Sequence, residues 1–72
     1  MNIIKNIALN VRIYREQKGY SQEYLAEKSG LHRTYISGIE RQKRNPTVSI
    51  IQDLALALDV EPIDLVREVG KQ

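Results

Sequence analysis

Arg33, Thr34, Ser37, Gly38 and Arg41 fall at spacings that gather them on one side of a helical wheel, because positions three and four apart share a helix face. That side offers guanidinium groups, two hydroxyls and a glycine that removes bulk. Such groups suit a surface that must lie close against base edges and phosphates. Arginine matches guanine's two major-groove acceptors, and threonine can contact a polar base edge or a thymine methyl. Tyr35, Ile36 and Ile39 collect on the opposite side, where they can dock the helix onto its neighbours.

A helix offered this way needs a support. The preceding Gln22 to Ser29 stretch reads as a shorter helix, with Ser21 as its N-cap and Glu23 placing a favourable negative charge in its first turn. Gly30 permits a tight turn out of it, and Ala26 is small enough to leave room for Ile36 where the two helices cross. Two short helices joined by a glycine-containing turn, over about 22–41, form the pattern of a helix-turn-helix whose second helix enters the major groove. The alternative is a plain helical hairpin that uses Ala and Gly for packing and reads nothing.

Around this pair the periodicity predicts three more helices. Ile4, Ile7, Ala8, Val11, Tyr14 and Arg15 mark an amphipathic helix from about Ile3 to Lys18, ended by Gly19. After the polar loop Gln42-Lys43-Arg44-Asn45-Pro46, Thr47 caps a fourth helix with Val48, Ile51, Leu54, Ala55 and Leu58 along its core face. Asp59 ends it, and Pro62 opens a fifth that reaches about Val69. No window shows strand alternation between turn signals. The expected fold is an all-α, compact five-helix bundle with residues 1–72 as a single domain.

At 72 residues the core is thin, since chains of this size bury only about 60% of their unfolded surface. There is no cysteine and only one histidine, which leaves neither a disulfide nor a zinc site. No Ser/His/Asp or Cys/His set is present, so no catalytic residue, enzymatic activity, metal or cofactor is expected. No run approaches the length of about 20 apolar residues that spans a bilayer, and the N-terminal apolar group is broken by Lys5, unlike a signal peptide. A soluble cytoplasmic protein without a membrane partner is expected. The net charge of +2 conceals an asymmetry: residues 1–46 carry nine Lys/Arg against four Asp/Glu, and residues 47–72 carry two against five. A basic half with a groove-reading pattern points to a polyanion partner for that half alone.

Ser21-Gln22-Glu23, Leu25-Ala26, Gly30, Ile36-Ser37-Gly38-Ile39-Glu40 and Arg44-Asn45-Pro46-Thr47 together resemble the Cro/Xre family of phage-repressor-like regulators, from Val11 through Leu65. His32 to Arg41 is most similar to the controller proteins of bacterial restriction–modification systems. The resemblance implies a homodimer that binds a two-fold operator in double-stranded DNA upstream of its own gene, activating at low dose, with RNA polymerase as a partner, and repressing at higher dose. It implies that Arg33, Thr34 and Tyr35 contact bases and nearby backbone, that Gln22 contacts backbone or outer bases, and that Arg41, Lys43, Arg44 and Asn45 bind phosphate. It also implies a charged pair, Arg15 with Glu40, tying the first helix to the third. His32 stands where the family often has Asp or Asn, and Gln42 where it often has Gly.

Several positions keep two readings. Tyr35 lies at the edge of the apolar face, placed either to pack its ring or to offer its hydroxyl to DNA. His32 is a helix-start residue with an incidental phosphate contact. Arg15 continues the apolar spacing of Ala8 and Val11, so its head either finds a partner or snorkels into water. For self-association the acidic half is the better surface, about 48–69, because the basic half must face phosphates. There Ile50 and Ala57 flank the fourth helix's core stripe, and Ile63, Val66 and Val69 lie outside the inward Leu65. Related possibilities are a phage-type repressor or an antitoxin-type autoregulator. A rival of another class is a helical protein-interaction module.

Overall fold

The computed structural model describes residues 1–70. Five helices follow one another: α1 (Ile3–Gln17), α2 (Gln22–Ser29), α3 (Arg33–Glu40), α4 (Val48–Leu58) and α5 (Pro62–Val66). The described residues contain no strand. Side-chain caps set three of the starts. Asn2, Ser21 and Thr47 accept from the backbone N–H groups of Lys5, Tyr24 and Ile50, satisfying donors that have no partner inside a helix. At α5 the carboxylate of Asp64 accepts from the backbone N–H of Glu61 at 2.9 Å, and Pro62 occupies the first turn, where its missing N–H costs nothing.

One core holds the helices together. Ile7 and Val11 of α1, Leu25 and Ala26 of α2, Ile36 and Ile39 of α3, Leu54, Ala55, Ala57 and Leu58 of α4, and Leu65 of α5 form a single buried cluster. The small Ala26 is 5% exposed and the branched Ile36 is fully buried, in keeping with close packing of α2 on α3.

Three expectations need correction. Val48, expected on the core face of α4, is 77% exposed, because it occupies the first position of the helix, beyond the reach of the bundle. Ala57, expected at a subunit interface, is 5% exposed and belongs to the core; its spacing of three from Leu54 keeps it inside the buried stripe. The fifth helix ends at Val66 instead of about Val69. Its end is fixed from α1: the Asn6 amide donates to the Val66 carbonyl at 3.1 Å, and the Asn10 amide donates to the carbonyls of Leu65 and Arg67 at 3.1 and 2.8 Å. Both asparagines are buried. They supply partners for carbonyls that a helix end leaves open, and so they dock α5 onto α1. No helix is long and apolar enough to cross a membrane among the described residues.

Candidate nucleic-acid interface

The exposed side of α3 is held up by an ion pair beneath it. Arg15 of α1 donates through Nε and Nη2 to the two carboxylate oxygens of Glu40, at 2.7 and 3.0 Å, and through Nη1 to the Tyr20 carbonyl at 2.8 Å. Gln22, first in α2, donates its side-chain amide to the same carboxylate at 3.1 Å. The side chains of Arg15 and Glu40 are only 12% and 5% exposed. A two-pronged guanidinium–carboxylate pair fixes orientation as well as distance. The Glu40 hydrogen bond holds the Arg15 pKa above its ordinary value, against the opposing effect of burial. Glu40 thereby ties the last turn of α3 to the start of α2 and to α1.

Above this support, Arg33, Thr34, Ser37, Gly38, Arg41 and Arg44 line one shallow concavity. Arg33 and Thr34 are exposed and Ser37 is half-buried. Arg41 is the C-cap of α3. Tyr35 is half-buried and packs against the core, while its ring lies 5.5 Å from the Arg44 guanidinium carbon. His32 is exposed at the N-cap and makes no side-chain cap hydrogen bond. Lys43 and Asn45 are exposed in the loop after α3 and lie outside the concavity's lining, as do Gln22 and His32.

The loop's course follows from how α3 ends. Gln42 adopts φ 61°, its N–H donates to the Ile39 carbonyl at 3.0 Å, and the Lys43 N–H donates to the Gly38 carbonyl at 2.7 Å. This paired arrangement normally uses glycine at the left-handed residue. The chain makes it with glutamine and turns Arg44 back across α3. Among the described residues no group of three or more His, Cys, Asp or Glu is placed to hold a metal ion.

On the acidic half, Leu56, Ile63 and Val69 are 80%, 59% and 44% exposed, whereas Ile50 and Val66 are half-buried and rest against the core. Leu56 was not among the residues expected there. Its signal in the sequence is a leucine opposite Leu54 and Leu58 on the wheel of α4.

A two-helix unit with a basic, hydroxyl-bearing face on its second helix defines a DNA-binding regulator of the helix-turn-helix class. Residues 11–65 match the helix-turn-helix family HTH_3, and the chain belongs to that family, of Cro/Xre type. It is 49% identical over 70 residues to the control protein C.SmaI of Serratia marcescens, covering 97% of this chain and 83% of that protein. The fold is similar to a hypothetical transcription factor, NHTF, from Neisseria (TM-score 0.92, 40% identity, 94% of this chain and 78% of that one). It is also similar to the restriction–modification controller protein C.Esp1396I, in a structure of its tetramer in complex with its natural 35 base-pair operator (TM-score 0.82, 37% identity, 90% and 86% covered). The protein is a helix-turn-helix transcriptional regulator.

Proposed function

We propose that this regulator is a restriction–modification controller that binds, as a homodimer, a two-fold operator upstream of its own gene. The concavity on α3, lined by arginines and hydroxyls above a buried ion pair, is the observation that carries this reading. Likeness over most of both chains to a control protein, and to a controller crystallised with its operator, supports the subtype.

In this reading α3 lies in the major groove. Arg33 and Thr34 meet base edges, and Ser37 and Arg41 meet bases or backbone nearby. Tyr35 packs its ring and offers its hydroxyl, while Gln22 and His32 touch flanking backbone. Lys43 and Asn45 bind phosphate from the loop, which positions the protein without specifying sequence. Self-association uses the exposed apolar residues of α4 and of the chain from α5 onward: Leu56, Ile63 and Val69, with Ile50 and Val66 at their margin. The protein works in the cytoplasm, has no enzymatic activity, and meets RNA polymerase when it activates.

Footprinting of DNA upstream of the protein's own gene tests this function. Protection of a two-fold sequence, with affinity that falls steeply as salt rises, is the expected result. Equal affinity for that DNA and for a scrambled duplex would overturn it and favour a protein-interaction module.

A further inference from the structure

Asn6 and Asn10 are the buried polar side chains among the described residues, 7% and 6% exposed beside Ile7, Ala8 and Val11 on the inner side of α1. Burying an amide is unfavourable unless its hydrogens find acceptors. These find three in a row. Nδ2 of Asn10 donates to the carbonyls of Leu65 and Arg67, and Nδ2 of Asn6 donates to the carbonyl of Val66 between them. Carbonyls accept only, so each side-chain amide is held with its nitrogen toward the end of α5.

What such bonds add is direction. α5 has five residues and one buried side chain, Leu65, and a helix of that length does not persist by itself. A single apolar anchor sets where α5 sits without setting its rotation, because apolar contact has no preferred angle. Hydrogen bonds do have one. A slip of one residue against the amides would turn α5 by roughly 100° and carry Ile63 away from its present side. Beyond the helix, Arg67 takes an extended backbone, φ −73° and ψ 157°, and the chain returns along α1. There Val69 and Leu9 line one depression together with Asn6. Ile63, Val69 and Leu9 are all exposed apolar side chains, and the bonds from α1 fix where the first two stand.

We propose that Asn10, seconded by Asn6, is a positioning residue for self-association. The two amides set the rotation of α5 and the course of the chain after it, and they thereby aim Ile63 and Val69 at a second copy. This role rests on the chain's forming a homodimer through its acidic half.

The test compares the parent with Asn10→Leu and Asn6→Leu, since leucine keeps the branched outline of asparagine and removes its donors. Sedimentation equilibrium gives the dissociation constant of the dimer. Binding is measured to the duplex protected upstream of the gene and to a duplex carrying one half of it. Asn10→Leu is expected to raise the dimer dissociation constant about tenfold, the scale of a buried group left unpaired. Asn6→Leu, which loses one bond instead of two, should raise it less. Affinity for the half-site duplex should stay within about twofold of the parent's, because α3 is a separate site. Amide hydrogen exchange should show protection lost in α5 and kept in α3. Should Asn10→Leu fail to fold, the smaller rise with Asn6→Leu decides alone.

A parent that sediments as a monomer would overturn the homodimer reading and this role with it. Variants that dimerise as tightly as a dimeric parent would overturn the role alone. Equal loss of protection in α3 and α5, with weaker half-site binding, would make the asparagines supports of the whole fold and would overturn it likewise.

Discussion

Arg33 opens α3 on its exposed side, and Lys43 stands in the loop beyond it, outside the concavity. The two cations should therefore fail differently when removed. Arg33→Ala should cost about 1–3 kcal/mol on the specific duplex and spare most non-specific binding. Lys43→Ala should weaken both kinds of DNA and flatten the salt dependence by about one unit in slope. Titrations of each variant at several salt concentrations decide it, and identical profiles for the two would dissolve the distinction. Beneath them, Arg15 and Glu40 should be energetically coupled, because deleting either strands a charge in a site only 12% or 5% exposed. A double-mutant cycle read by denaturant unfolding should give a coupling of about 1–3 kcal/mol. Simple additivity would show that Gln22 and the Tyr20 carbonyl, and not the pair itself, hold the network.

Among the elements, the ends proved harder to read than the middles. Gly19 and Gly30 announce the ends of α1 and α2, and both adopt positive φ. The apolar stripes of α1 and α3 are equally plain in the sequence, as is the basic, hydroxyl-bearing composition of the exposed side of α3. The end of α5 is not, because Asn6 and Asn10 fix it from 60 and 55 residues away, and an asparagine in an amphipathic helix reads locally as surface. The seat of Arg44 is hidden for a similar reason: it depends on a turn that brings residue 44 back over residue 38. That turn carries strain of its own. Gln42 takes a left-handed conformation that costs a residue with a Cβ about 1–2 kcal/mol, partly offset in glycine by its freer unfolded chain. Gln42→Gly should accordingly raise stability by about 0.5–1 kcal/mol, read as a rise in melting temperature of roughly 2–8 °C. An unchanged or lower melting temperature would mean that the glutamine side chain has an unrecognised role. Asn10→Ala should cost about 1–3 kcal/mol, as it leaves the Leu65 and Arg67 carbonyls without their amide donor. Retention of full stability to urea would remove Asn10 from the docking of α5.

For the whole molecule the decisive quantity is the number of recognition helices presented at once. One domain whose longest extent is 29 Å covers a few base pairs, whereas tight specific binding calls for two recognition helices about one DNA turn apart, some 34–36 Å. In the proposed binding mode the basic half faces phosphate and so cannot join them. The acidic half carries apolar side chains that the core does not use: Leu56 at 80% and Ile63 at 59% exposure. A closed two-fold dimer presents the same patch from both subunits, so one substitution damages the interface twice. Ile63→Asp and Leu56→Asp should each shift the protein toward monomer at micromolar concentration while helical content is retained, because neither side chain belongs to the buried cluster. Operator affinity should fall with dissociation, each half-site then being bound independently. Ala57→Asp, in contrast, should unfold the domain, since that position is 5% exposed and a carboxylate there has no partner. Sedimentation equilibrium with circular dichroism separates these outcomes: a parent that sediments as a monomer would refute the dimer, and intact dimers of both surface variants would move the interface elsewhere.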